Sequence, residues 1–510
     1  MPPSILFSSA VERLTVNQLV PGSIPGRGVM YRFVVVGGGT AGAMTATYLK
    51  SYWGDKVDVT VVYDHKKPNI GLGESLTPTI LTYLNQVGIT ADELIRDCNS
   101  TVKLGLKFKN WTGDGSYFYH PFNCMDTSSF NTNNFEAAYE IVNGCYDNDT
   151  AYGNDLLESN KVPMFLENHS HALHIDGVRF SQYVLKRFED RLNIIDDVIT
   201  DVVENENGID YLVGTKHKKI TGDFFIDASG LKKIIFSKLE NTWIDRSDWL
   251  PLDRVIPNPI PSDHDEIPCY TTAEATGDGW ILQVPLRNRW GTGYLYSTRF
   301  TEKKDAQERF DRFLKDNYNT SLQHDKIASF DSGYWEKQWI KNAMCVGLSS
   351  GFTEPLEATN IHHVIYQMYD FTSRFNFKIF NFDIERYNET MAKFYDRVYL
   401  FIRFCYNTGR RDTDFWRYLQ DNTPDQIVDL TEKITYDFLN EKSMPDDIFN
   451  YNNFLKVARG LNMVNKENYS RILSDRNVLD YTKRSIDIMR EIKESINSNS
   501  ISHKEYLQYR

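Results

Sequence analysis

Residues 31–51, YRFVVVGGGTAGAMTATYLKS, run from an unbroken apolar stretch through a glycine turn into an amphipathic helical pattern, and they constrain the chain more than any other feature. Gly37, Gly39 and Gly42 form GxGxxG, with Thr40 and Ala41 inside the turn. A strand, three glycines at this spacing and a helix are the context of a dinucleotide fingerprint. The glycines let the backbone approach a pyrophosphate, which then sits on a helix N-terminus. VDVTVVYD (57–64) follows as a second apolar strand and closes a βαβ unit. Asp64 stands near the end of that strand, where an acid would hold a ribose or would simply be a solvated turn residue.

The rest of the chain fits an α/β enzyme. Strands are expected at YLVG and DFFIDASG, returning to the nucleotide-binding layer, and around 280–300; helical periodicity dominates from His362 onward. The expected organisation is a flexible lead over 1–29 with Met30 as the native start, a core over 30–360, and a mainly helical region over 361–510 whose last twenty residues fray. No apolar stretch approaches the ~20 residues of a membrane-spanning helix. The 69 acidic and 57 basic side chains give a net charge of −12, which repels nucleic acid. The six cysteines form no CxxC or Cys/His cluster, so neither a disulfide framework nor a metal site is expected, and a reducing cytoplasm fits. Nothing in the pattern sets the oligomeric state, and a homo-oligomer stays open.

Several further residues carry candidate chemistry. IGLGES (70–75) brings Glu74 after a second glycine turn, and DFFIDASG (223–230) brings Asp227 and Gly230 after an apolar strand. Each is a flavin contact or an ordinary strand-ending turn. In TVKLGLKFKNW, alternation puts Lys103 on the face of Gly105 and Lys107; it is either a snorkelling surface lysine or a buried one with a task. Glu357, in SSGFTEPLEATNIHH, reads by itself as a helix-entry acid favoured by the dipole. His120 in YFYHPF, and Trp280 and Pro285 in GWILQVPL, read as core or as pocket wall.

Taken in order, VVGGGTAG, GLGES, KLGLKF, FYHPF, HALHIDGVRF, IDASG, GWILQVP, GTGYLYSTRF, GLSSGFTEPLEAT and RRDTDFW resemble the flavin-dependent halogenases of the tryptophan-halogenase type, from Met30 to about Trp416. The resemblance implies a glutathione-reductase/monooxygenase-like FAD-binding fold with a mainly helical substrate layer. It implies reduced FAD, dioxygen and halide as reagents, and a separate NAD(P)H-dependent flavin reductase as partner. Residue by residue, it puts the family's essential lysine on Lys103, its essential glutamate on Glu357 and its aromatic-stacking histidine on His120. Hypohalous acid would travel through an internal passage to the lysine. A lysine there hydrogen-bonds hypohalous acid, or its amine is itself halogenated, so that the oxidant arrives beside one ring carbon, and Glu357 stabilises the ring cation or removes its proton.

Three positions depart from the family's pattern. The WxWxIP signature is Trp280-Ile281-Leu282-Gln283-Val284-Pro285, which keeps an aromatic hydroxylase in view as the alternative. A flavin-binding protein without turnover ranks below it, because Lys103 and Glu357 are both present. After the glutamate, the family's Ser-Thr-Gly is Ala358-Thr359-Asn360. Thr359 and Asn360 then line the halide site, and the loosened fit predicts bromide or iodide above chloride. Between Trp416 and Leu461 the segment that grips free tryptophan is missing, so an indole, phenol or aniline is expected instead.

Overall fold

A computed structural model describes residues 30–66, 73–122, 135–143, 152–263, 265–436 and 448–510. The N-terminal lead, Gly71, Cys124 and Cys145 lie outside the described residues. The GxGxxG unit forms as the pattern predicts: Tyr31–Val36 leads through the turn into the helix Thr40–Trp53 and back into Val57–Tyr63, parallel to the first strand with Val35 opposite Val61. These strands sit inside a six-stranded sheet in the order Trp339–Ile340, Ala343–Cys345, Phe224–Asp227, Tyr31–Val36, Val57–Tyr63, Asn193–Asp196. All neighbours are parallel except the Trp339–Ile340 edge. Both faces are covered, as a parallel sheet requires. Phe33, Val35, Val59 and Val61 pack with the helices Thr40–Trp53 and Thr359–Arg374, while Val34, Val36 and Val62 pack with Ile199, Ile209 and Leu212.

DFFIDASG returns to this sheet beside the first strand, Val35 opposite Ile226. YLVG does not. It lies in Gly208–Gly214, which pairs with Ile199–Asn205 as a separate two-stranded ribbon covering the sheet. An apolar run gives no information on which sheet it joins.

A second sheet of eight strands carries the other half of the site. Its path runs Ala328–Ser329, Arg254–Pro257, Arg289–Tyr296, Gly279–Leu286, Tyr270–Ala275, Gly105–Lys109, Tyr117–Pro121, with Ile260–Pro261 added on Arg289–Tyr296. One face, with Trp280, Leu282 and Val284, packs on the long helix Asn381–Cys405 and the helices Asp414–Asp421 and Tyr451–Gly460. The opposite face, with Ile281 and Tyr294, packs on the helix Lys303–Tyr318. Between the two large sheets lies a small one, Glu74–Ser75, Ala172–Ile175 and Thr101–Lys103.

Two sequence expectations are corrected here. Lys103 does not share a strand with Gly105 and Lys107: the chain breaks at Leu104, and Thr101–Lys103 and Gly105–Lys109 belong to different sheets. Alternation persists across such a break and hides it. The last twenty residues do not fray: Ser500–Ser502 pairs with Lys161–Pro163, and the helix His503–Gln508 buries His503, Tyr506 and Leu507. No helix among the described residues is long and apolar enough to cross a membrane.

Candidate active site

Lys103 ends its short strand with no exposed surface. Its Nζ donates to the Leu76 carbonyl at 2.9 Å and lies 4.8 Å from the centre of the Phe122 ring. Burial pushes the lysine pKa down to about 7, and the nearby Glu357 carboxylate opposes that shift. The snorkelling reading is therefore wrong. A lysine poised near neutrality in an apolar setting has the character of a functional group.

Glu357 closes the tight turn Pro355–Glu357, and Ala358 in the left-handed region (φ 59°) turns the chain into the helix Thr359–Arg374. The buried Glu357 Oε1 lies 2.9 Å from His120 Nδ1. On the other side of the ring, Asn453 Nδ2 lies 3.0 Å from His120 Nε2. Asn453 Oδ1 already accepts from the Asn450 N–H at 2.9 Å, so its NH₂ faces the ring. His120 Nε2 therefore accepts, and Nδ1–H donates to Glu357. This fixes the tautomer and leaves Glu357 an acceptor. Phe401, 5.8 Å from His120 between ring centres, stacks on Phe449 at 3.8 Å and meets Phe454 edge-on at 4.8 Å. An aromatic wall thus borders the carboxylate.

The signature strand is tied to the same loop. Trp280 Nε1–H donates to Glu354 Oε2 at 2.8 Å, and the Tyr406 hydroxyl donates to the same oxygen. Burial raises the Glu354 pKa to about 7. Trp280 is fully enclosed, so it anchors the loop that bears Glu357 instead of facing an open pocket. Pro285 lies past the last rung between Gly279–Leu286 and Tyr270–Ala275, where its missing N–H costs no ladder bond. Its carbonyl accepts from Thr101 Oγ1 at 2.6 Å.

That bond starts a directional chain beneath Lys103. Since Thr101 donates to Pro285, it accepts from His174 Nδ1–H at 2.9 Å; His174 Nε2 then accepts from Thr271 at 2.9 Å, and Thr271 from Ser75 at 2.7 Å. Burial first, and then the Lys103 charge, hold the His174 pKa well below its ordinary value. The ring is neutral, as the chain demands. The chain connects the Glu74–Ser75 strand to the lysine strand.

The residues read as halide-lining sit at the start of the Thr359–Arg374 helix. Thr359 Oγ1 lies 3.2 Å from Thr353 Oγ1, and Asn360 Nδ2 donates to the Thr353 carbonyl at 2.9 Å. The Asn360 carboxamide thus folds back onto residue 353. The first turn has neither a side-chain cap nor an acidic residue, which leaves its amides open to an anion.

The dinucleotide cradle is built as GxGxxG requires. A Cβ on Gly37 (φ +129°) would stand 2.2 Å from the Ala228 carbonyl oxygen, and one on Gly42 would stand 1.9 Å from the Gly37 carbonyl oxygen. Gly39 begins the helix without a side-chain cap, and Ala41 meets the Gly347 turn at its flank. Thr40 Oγ1 donates to Glu74 Oε1 at 2.8 Å, while Glu74 Oε2 is buried with no partner. Burial raises the Glu74 pKa to about 7. An uncapped helix start and an unsatisfied buried carboxyl are what a dinucleotide with a polar ring system would complete. Asp64 accepts from the Lys66 N–H at 3.0 Å and is partly exposed. Asp227 is fully engaged within the protein, accepting from Ser229 N–H and Oγ–H and from the Ile235 and Phe236 amides. It shapes the turn at Gly230 (φ +71°), whose carbonyl accepts from Ser349. Among the described residues no group of three or more His, Cys, Asp or Glu side chains could hold a metal ion.

The family profile described as tryptophan halogenase matches residues 32–475. The chain belongs to the tryptophan halogenase family. It is 29% identical over 420 residues to the tryptophan 6-halogenase ThaL of Streptomyces albogriseolus, covering 75% of this chain and 78% of that one. It is 28% identical over 486 residues to the tryptophan 7-halogenase RebH of Lentzea aerocolonigenes, covering 88% and 89%. The solved structure of the tryptophan 6-halogenase SttH from Streptomyces toxytricini shares the fold, with a TM-score of 0.86 at 24% identity over 94% of this chain and all of that one. As a member, this protein is a flavin-dependent halogenase, and the family's reagents are reduced FAD, dioxygen and halide.

Within this halogenase, Glu357 is bonded to His120 and lies near Lys103, while Glu74, on the small sheet that also carries Lys103, is bonded to Thr40 of the GxGxxG turn. Sequence reasoning missed Asn453, Glu354, Tyr406 and His174. Glu354 and His174 lay inside quoted motifs, GFTEPLEAT and HALHIDGVRF, but no spacing distinguishes them. Asn453 falls in an ordinary polar helix start, and only the fold brings it to His120.

Proposed function

We propose that this halogenase oxidises halide with reduced FAD and dioxygen and delivers the halogen from hypohalous acid, held at Lys103, to a small aromatic substrate. The buried grouping of Lys103 with Glu357, itself bonded to His120, carries this reading. A hydroxylase has no use for a buried lysine beside a general base. The GxGxxG turn, Thr40 and Glu74 hold the FAD, with Asp64 on its ribose and Asp227 and Gly230 shaping the adjacent turn. Bound reduced FAD supplies, with dioxygen, the oxidising equivalent that turns halide into hypohalous acid.

The protein's own groups then divide the work. Lys103 hydrogen-bonds the hypohalous oxygen; as the ring carbon takes the halogen and the oxygen–halogen bond breaks, the ammonium proton leaves with hydroxide as water. Glu357 accepts the proton from the substituted ring carbon. His120 fixes the carboxylate through Nδ1–H and presents its ring to the substrate beside Phe401. Trp280 and Pro285 tie the signature strand to the Glu357 loop and to Thr101, holding flavin and substrate sides apart.

The substrate is an indole, phenol or aniline in preference to free tryptophan, because the stretch after Trp416 lacks the sequence pattern of the family segment that grips the amino acid's ammonium and carboxylate. Part of that stretch, 437–447, lies outside the described residues. Halide rests on the open amides at Thr359 and Asn360, with weakly hydrated bromide or iodide favoured over chloride. A separate flavin reductase supplies reduced FAD. Mass spectrometry of an indole, phenol and aniline panel, with reduced FAD and each halide, tests the reading: halogenated products support it, and hydroxylated products alone refute it.

A further inference from the structure

Lys103 rides on an outer strand. Thr101–Lys103 pairs with Ala172–Ile175 on one side only, with Val102 opposite Leu173 and Lys103 opposite Ala172. Val102 is fully buried, so its outward N–H needs an acceptor inside the protein. The acceptor is Nε2 of His503, 3.0 Å away and 401 residues later in the chain. The other ring nitrogen, Nδ1, lies 2.9 Å from the Ile267 carbonyl oxygen. Because a backbone N–H can only donate, Nε2 accepts, and Nδ1 carries the proton given to Ile267.

The segment reached this way also holds the residue on the far side of the lysine. The Leu104 N–H donates to the Cys269 carbonyl at 2.7 Å. Both amides flanking Lys103 are thus tied to residues 267–269, Leu104 directly and Val102 through one imidazole. His503 does for Val102 what a neighbouring strand would do, on the side of Thr101–Lys103 that pairs with no strand.

The tail that carries it is firmly seated. Ser500–Ser502 pairs with Lys161–Pro163, the His503 N–H donates to the Asn160 carbonyl at 2.8 Å, and Ser502 Oγ caps the last helix by accepting from the Glu505 N–H. Tyr506 and Leu507 enter the apolar cluster that contains Val102 and Leu104. The tail residues Ser500–Leu507 lie beyond residue 475, where the match to the family profile ends.

We propose that His503 is a positioning residue for Lys103, through which the C-terminal tail sets where the lysine holds the oxidant. The inference rests on Lys103 as the residue that receives hypohalous acid. A shift of the strand by a fraction of an ångström would leave oxidation of halide intact and lower the share of halogen that reaches the substrate.

The test compares wild type with Lys103→Ala, His503→Phe, His503→Gln and His503→Asn. Two quantities are read: total halide oxidised, with a dimedone-type enol as trap, and halogenated aromatic product. FAD affinity and deuterium exchange in the peptide spanning Val102 are measured alongside. Phe fills the space without either bond; Gln carries an acceptor and a donor on one amide. His503→Phe should lower product on the order of 10-fold or more, keep oxidised halide and FAD affinity at wild-type values, and speed exchange at Val102. His503→Gln should restore product. Wild-type product from His503→Phe, or equal losses of product and oxidised halide, would overturn the proposal. If His503→Phe does not accumulate as folded protein, the carboxamide pair decides: Asn, one carbon shorter, should lose product share that Gln keeps, and equal shares would overturn it. Product from Lys103→Ala would instead refute the role of Lys103 itself, so the two failures are told apart.

Discussion

Replacing Lys103 with methionine should change how stability depends on pH, and by an amount the structure sets. Burial lowers the lysine pKa from its ordinary 10.5 to about 7. Below pH 7 the lysine is protonated in both folded and unfolded chains, and the folded state bears the full cost of the buried charge. Between about 7 and 10.5 the folded chain has released the proton while the unfolded chain still holds it. The unfolded state then binds more protons, so stability rises with pH through that window, at up to about 1.4 kcal/mol per pH unit. From pH 7, where the group is half titrated, to pH 9, the gain integrates to about 2 kcal/mol. Methionine, unbranched and similar in length, removes the titration without opening a large cavity. Glu74 and Glu354 titrate with the opposite sign, losing stability as pH rises from the ordinary carboxylate range to about 7. They are present in both proteins and cancel in the comparison. Urea unfolding of both proteins without flavin, at pH 7 and pH 9, reads the effect. Wild type should gain about 2 kcal/mol more than Lys103→Met over this interval. Equal gains would refute the argument that Lys103 is a desolvated amine.

Other expectations concern turnover. Lys103→Ala should abolish halogenated product with FAD affinity unchanged; flavin titration with a product assay checks both, and retained regiospecific halogenation counts against the assignment. The purified chain with FAD alone should not consume NADH or NADPH, since GxGxxG occurs once and is the proposed FAD cradle; rapid reductase-free consumption would contradict this. Free L-tryptophan should be a poorer substrate than small indoles, phenols or anilines, and its ranking best across a broad panel would overturn the reading of the segment after Trp416. Bromide or iodide should exceed chloride in competition at equal concentration under catalase, and Asn360→Gly, which removes the bond to Thr353, should shift the ratio towards chloride.

The βαβ unit was legible because two local signals coincide there, an apolar run and glycines whose Cβ atoms would collide with the backbone. Pairing between distant segments leaves no such trace. YLVG has the composition of a core strand, yet it joins a ribbon, because burial on either side of a sheet selects the same side chains. Alternation through TVKLGLKFK conceals the break at Leu104, since that residue is itself buried and continues the apolar pattern between two sheets. The tail reads as polar because the side chains that seat it, His503, Tyr506 and Leu507, lie among Lys504, Glu505, Gln508 and Arg510 in a helix too short for periodicity to emerge.

The site divides along the same line. Lys103, Glu357 and His120 were singled out because each lies in a stretch whose residues resemble a family, and nothing in composition marks them. What sets their chemistry is supplied by partners remote in sequence. Asn453 fixes which nitrogen of His120 carries the proton, and so makes Glu357 an acceptor. Without that contact the ring could present either nitrogen, and the same three residues could leave the carboxylate hydrogen-bonded to nothing. The lysine's pKa likewise follows from enclosure between Leu76, Phe122 and the sheets, not from its neighbours in the chain. A motif can therefore single out candidate reacting groups, while their hydrogen-bond partners and burial are a property of the fold that surrounds them.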